Sequence, residues 1–406
     1  MQKHDTIIST IFNLIIKSIS MLKKYLEKAF NNYMFITVLF VLYILIVPFQ
    51  HYLTNKYNNF TIFQHSSFHF FQKVNLYLAY PKEYYDVFLY NPTFSFLFTP
   101  IAYIPTILGI FIWGTFLTGL FYYAVRLLPL DKKSNLFILY FTFPELITSV
   151  QNLQTNSIIA ASILLAFIFL EKRSTFKSSF FVNIGFFIKA YGAVSGAFYI
   201  LKTTRLKSLL YLLIWFLVLL SLPLLFYSPD QFVVLYKQWI ECLSNDHDIN
   251  LGLSVMSFMS GVFNYHGPVY YTQFVGVFML LITMLLIALK KTYEEVKFFF
   301  LAYVMIWVVI FNHASESATY IIASTGAAIW YVNSKKTILD KILMITTFIL
   351  TVMSPSDLFP SYLRTNFVKP YSLKVLGPML IFIKIQILLV YNYVKSGHNS
   401  TAVQST

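Results

Sequence analysis

The stretch QNLQTNSIIAASILLAFIFLEKR, Gln151 to Arg173, decides the class of this chain. It opens on an amide-rich knot, runs through an unbroken apolar segment and closes on Glu171, Lys172 and Arg173. The alternation recurs along the chain, with apolar stretches of roughly 17–22 residues, the length needed to cross a hydrocarbon core. Of 406 residues, 58% are hydrophobic and 11% charged. That is too little charge to cover a soluble domain. The expected fold is all-α: a polytopic transmembrane helical protein.

The two ends of the apolar runs differ. One end carries short Lys/Arg turns, such as Lys132 with Lys133, Lys290 with Lys291, and Lys335 with Lys336. Basic turns collect on the cytoplasmic side. The other end carries five polar knots: QNLQTN (Gln151 to Asn156), IKAYG (Ile188 to Gly192), NDHD (Asn245 to Asp248), NHASES (Asn312 to Ser317) and the loop from Asp357 to Arg364. These knots share one face and suggest a site assembled at the external surface.

One orientation accommodates nearly every basic cluster. It places the N-terminus in the cytoplasm and the chain, as a multi-pass protein, in the plasma (inner) membrane. Residues 1–33 read as an interfacial amphipathic helix, with Ile8, Phe12 and Ile15 opposite Lys17, Lys24 and Lys28. Residues 34–395 form the transmembrane domain, of about ten spans, with external loops 51–91, 228–268 and 354–372. Residues 396–406 form a cytoplasmic tail. Pro92 to Pro105 is too short to span and is expected to be re-entrant. Ser178 to Leu201 is expected to break at Lys189 and Gly192 into two half-helices.

Several classes fall away. The net charge of +14 is explained by anionic lipid, so no nucleic-acid partner is expected. A single cysteine, Cys242, excludes a Cys-based zinc site. No phosphate-binding Gly-rich loop or zinc signature is present, and neither metal nor cofactor is expected. The spans show no inverted repeat of the kind common in transporters.

Charges at membrane depth are costly and tend to be functional. Lys189, between two half-helices, suits an anionic lipid or sugar phosphate, or snorkels to headgroups as an anchor. His313 and Glu316 would share a helix face and could exchange a proton, or simply cap that helix. Asp246, His247 and Asp248 offer carboxylates for a base or for sugar hydroxyls. Consecutive loop residues seldom all reach one ion, which argues against metal there. Gln151, Asn152, Gln154 and Asn156 could grip sugar hydroxyls or satisfy helix ends. Arg364 and Lys369 could clamp an external phosphate, and Asp357 could pair with Arg364.

Two stretches carry a family resemblance. NLYLAYPKEYYDVFLYNPTFSFLFTPIAYIP, Asn75 to Pro105, with Trp113 in the next span, resembles the segment after the first span of glycosyltransferase family 87. Gln151 to Gly192, with its Gln-Asn…Asn and Ile-Lys-Ala-Tyr elements, is similar to a later stretch of that family. The resemblance implies a GT-C fold and an inverting transferase that moves a hexose, often mannose. The donor would be a polyprenyl-phosphate sugar acting as co-substrate, and the acceptor a glycan or glycolipid at the external face. It also implies an acidic base early in the first external loop, where this chain has Asn58 and Asn59. An amide cannot take a proton from a hydroxyl. The base must then come from His313, Glu316, Asp246 or Asp248. Lys189 and Arg364 would hold the donor phosphate, and Gln151, Asn152 and Asn156 would position sugars. Two other readings use the same cations: a transporter or flippase of lipid-linked or anionic solutes, and a non-catalytic relative that binds a lipid-linked sugar.

Overall fold

A computed structural model describes residues 17, 20, 23, 24, 27–202, 206–246 and 251–402. The apolar face expected around Ile8, Phe12 and Ile15, and the candidate base Asp248, lie outside the described residues. The regular secondary structure of the described residues is all helical, with no β-strand among them.

Among the described residues, five helical segments are long and apolar enough to cross a membrane: Tyr33–Thr54, Thr106–Arg126, Leu206–Leu225, Val269–Lys290 and Leu373–Tyr391. Their exposed sides carry apolar residues such as Leu45, Ile46, Leu213, Phe278 and Ile387. A helix that shows apolar side chains outward suits a lipid environment rather than water. Together with the composition, this makes the chain an all-α polytopic membrane protein.

Inside this outer set lies a second class of helix. Asn156–Glu171 (α1), Tyr293–Ile310 (α2) and Tyr320–Asn333 (α3) are buried on nearly every side. Small residues permit this. Ala160, Ala161, Ser162 and Ala166 line α1, and Ala323, Gly326, Ala327 and Ala328 line α3. Small side chains let backbones approach where no hydrophobic force drives helices together.

The local sequence explains the breaks. Asn91 caps the short helix Pro92–Ala102 by accepting the Thr93 N–H at 2.9 Å, and Pro92 takes the first position, where no donor is needed. Asp131 caps Lys132–Gln151 through the Ser134 N–H at 2.8 Å. The helix Thr175–Ile188 ends at Lys189, which is extended (φ −136°, ψ 125°), and a 3₁₀ turn, Ala190–Gly196, follows. The expected break at Lys189 is therefore present.

The loops expected to be external are more ordered than their polarity implies. Residues 51–91 contain the helix Asn58–Gln72 (α4), whose Phe60, Phe63 and Phe70 are fully buried. Residues 228–268 contain Pro229–Asp246 and Val255–Phe263. These are one-sided helices. Their mixed composition hides them from a reading that looks for membrane-spanning runs.

Candidate functional site

The amide knot is divided by one residue. Leu153 follows the helix Lys132–Gln151 in the left-handed region (φ 52°), and its carbonyl accepts the Trp113 indole N–H at 2.9 Å. Side chains before and after it enter different surroundings. Gln151 and Asn152 line a cavity of about 460 Å³ with Gln50, His51, Asn59 and Asp357. Gln154 and Asn156 turn inward to the start of α1.

The inward pair forms a directed hydrogen-bond chain. Lys189 Nζ donates to Asn156 Oδ1 at 3.1 Å. Asn156 Nδ2 donates to Gln154 Oε1 at 2.7 Å. Gln154 Nε2 donates to Glu316 Oε2 at 2.6 Å. Each amide has one sense only, because a cation needs an acceptor at one end and a carboxylate needs a donor at the other. Chains of this kind polarise one another and rigidify. Asn156 is fully buried, whereas Glu316 is exposed. The carboxylate therefore meets solvent while its orientation is fixed from behind.

The cation is held as carefully. Tyr191 Oη also donates to Asn156 Oδ1, at 3.0 Å. Lys189 Nζ lies 5.1 Å from the Tyr90 ring centroid and 5.7 Å from that of Tyr191, within cation–π range. No anion is needed to hold Lys189 there.

Behind the chain is a buried ion pair. Lys374 Nζ lies 2.8 Å from Glu145 Oε1 and donates to Ser317 Oγ at 2.9 Å and to the Ser317 carbonyl at 3.2 Å. Ser317 adjoins Glu316, so this pair fixes the backbone that presents the carboxylate. Sequence reading missed both partners. Glu145 sits in an otherwise ordinary apolar run, and Lys374 sits at the start of a span.

Other expected residues fall elsewhere. His313 and Glu316 do not share a helix face. Residues 312–316 form a turn, and α3 begins only at Tyr320 after a 3₁₀ turn, Ser317–Thr319. Three-residue spacing aligns side chains only within a helix. His313 Nδ1 lies 3.2 Å from Gln273 Nε2. Asn59 Nδ2 donates to the Asn152 carbonyl at 2.8 Å, and Asn58 clasps the Tyr85 backbone with both its amide atoms. Arg364 is engaged by the Pro355 carbonyl at 3.3 Å and by Asp357 at 3.8 Å. It thus belongs to the loop bordering the Asn59 cavity, not to the Lys189 chain. In that cavity His51 is buried, and neither ring nitrogen has a hydrogen-bond partner in the protein.

A second cavity, of about 520 Å³, lies at the other end of α1 among Arg173, Lys202 and Lys207. There Lys297 joins Glu171 at 2.8 Å and Glu294 at 2.7 Å, and Lys202 bonds Glu171 as well. Basic residues therefore crowd one end of α1 and the amide chain the other.

A family model described as glycosyltransferase family 87 matches residues 88–311. The matched region includes Tyr90, Gln154, Asn156, Lys189 and Tyr191, and ends just before Glu316. No curated protein and no solved structure matches the chain.

Proposed function

The chain belongs to glycosyltransferase family 87, and from that premise we propose that it moves a hexose, mannose first among them, from a polyprenyl-phosphate donor to a glycan or glycolipid acceptor at the external membrane face. The observation that supports this reading is the directed chain from Lys189 through Asn156 and Gln154 to Glu316. It ties a cation to a carboxylate through rigid amides. An inverting transfer needs such a pair, with the leaving group and the attacking oxygen on opposite sides of the anomeric carbon.

The roles follow from the chemistry. Glu316 takes the proton of the acceptor hydroxyl. The freed oxygen electrons form a bond to the anomeric carbon. The bond from that carbon to the phosphate oxygen breaks, and polyprenyl phosphate leaves with the electron pair. Lys189 meets the charge that develops on the phosphate, with Tyr90 and Tyr191 confining the ammonium. Glu316 takes precedence over His313 because its carboxylate is both oriented and open to solvent. Gln151, Asn152 and Asn59 line a cavity suited to acceptor hydroxyls.

The test is sugar transfer by purified protein supplied with a panel of polyprenyl-phosphate hexoses. Glu316→Gln should lose at least about a hundredfold in rate, the scale of a general base, while still binding donor. Lys189→Ala should lose donor binding. His313→Ala should keep most of its activity. Full activity in Glu316→Gln would move the role of base to His313 or Asp248. No transfer with any hexose donor, together with solute flux in liposomes, would replace the transferase reading with a transporter.

A further inference from the structure

The helix Asn58–Gln72 (α4) presents His65 and His69 one turn apart, on one face. The turn Tyr80–Tyr84 brings Glu83 against that face. His65 Nδ1 and His69 Nε2 each lie 2.9 Å from the same atom, Glu83 Oε2. All three potential ligand atoms lie within 4.8 Å of one another. We propose that His65, His69 and Glu83 form a zinc(II) site in the first external loop, with the fourth coordination position open to the aqueous phase.

The donor set suits the ion. Two imidazole nitrogens and one carboxylate oxygen are the protein ligands of open zinc centres. With metal–ligand bonds of about 2.0–2.2 Å, tetrahedral donors stand about 3.3 Å apart. The nitrogen–oxygen separations of 2.9 Å therefore open by only a few tenths of an ångström to admit the metal. Ligating imidazole is neutral, so each ring need only move its hydrogen to the other nitrogen.

Access and surroundings agree. The side chains of His65 and Glu83 are 27% and 35% exposed, while that of His69 is 4% exposed. An ion can enter from the loop side and rest against a buried ligand. Two buried polar atoms in this cluster lack a protein partner: His69 Nδ1 and the Tyr84 hydroxyl. A metal-bound water offers the Tyr84 hydroxyl a hydrogen bond. The Tyr80 ring, 4.1 Å from the His69 ring centroid, fixes that imidazole. The metal would also fasten the 80–84 turn to α4, beside the clasp between Asn58 and Tyr85.

The alternative is a purely hydrogen-bonded staple, and metal binding separates the two. The full-length chain, purified in detergent with a tag free of histidine and stripped with a chelator, is titrated with zinc(II) alone and then with cobalt(II). One zinc should bind per chain, and cobalt should give the visible absorption of four-coordinate geometry. His65→Ala and Glu83→Gln should each weaken zinc binding at least about a hundredfold, because even outer-shell changes cost 10–100-fold. Glu83→Gln keeps a carbonyl oxygen for both imidazoles and so preserves the fold. Zinc should raise the unfolding temperature of the parent protein but not of Glu83→Gln. Absence of stoichiometric zinc in the parent, or equal binding by parent and both variants, would overturn the site.

Discussion

Lys374 and Glu145 meet at 2.8 Å with both side chains buried, joining the helix Lys132–Gln151 to the last span. Removing one partner strands the other charge, which costs about 3–5 kcal/mol in a protein interior. Replacing both by apolar residues leaves no charge behind and is often neutral. We therefore expect Lys374→Met and Glu145→Leu each to unfold readily, and the two together to recover most of the stability. Thermal unfolding of the four proteins in one detergent checks this. Additive losses in the double variant would show that the pair is not coupled.

Gly192 lies against Gly185. A Cβ on Gly192 would stand 2.4 Å from the Gly185 carbonyl oxygen, whereas a Cβ on Gly185 meets Gly192 no closer than 3.3 Å. The chain folds back on itself here, and Lys189 occupies the bend. Gly192→Ala should cost about 1–3 kcal/mol through overpacking and should weaken donor binding by displacing Lys189. Gly185→Ala should be milder on both counts. Donor affinity and unfolding temperature, measured together, decide the order.

The Lys297 ammonium, with Lys202, holds the Glu294 carboxyl below its ordinary range. A carboxyl whose pKa is lower folded than unfolded stabilises the fold above its unfolded value, about 4.3. That contribution fades as pH falls through the lower, folded value. Unfolding temperature should therefore drop on acidification below about pH 4–5, and Glu294→Gln should flatten the slope. An unchanged slope in the variant would assign the acid sensitivity to other groups.

Membrane orientation has a direct chemical readout. In a Cys242→Ser background, cysteines at Asn152, Asn245 and Ser361 should react with an impermeant reagent in intact cells. Those at Ser174, Thr292 and Ser334 should not, since they adjoin basic turns. The reverse pattern would place the amide chain in the cytoplasm.

The sequence makes the membrane class legible because hydrophobic runs and basic turns are local signals. It also exposes the break at Lys189, since a lysine and a glycine interrupt one apolar run. Two features resist such reading. Helices in the long polar loops bury a single face, so Phe60 and Phe63 pass for part of a polar segment. Pairings such as Lys374 with Glu145, or Gln154 with Glu316, join residues far apart in the chain and leave no local mark. The knot at 151–156 shows a third difficulty. Its amides look equivalent in sequence, yet the left-handed turn at Leu153 sends Gln151 and Asn152 to one cavity and Gln154 and Asn156 to the ion-bearing chain. His313 and Glu316 mislead for a related reason, since their spacing matters only within a helix that begins later.

The helix Asn156–Glu171 has 16 residues and so rises about 24 Å. A bilayer's hydrocarbon core is about 30 Å thick. Because this helix is enclosed by protein, it has no lipid contact to satisfy and no reason to reach both surfaces. If Glu171 stands level with one surface, Asn156 stops about 6 Å short of the other. With Glu171 so placed, the floor of the site would be a recess sunk below the plane of the headgroups. A substrate anchored by a hydrocarbon tail can enter such a recess sideways, without lifting its tail from the bilayer.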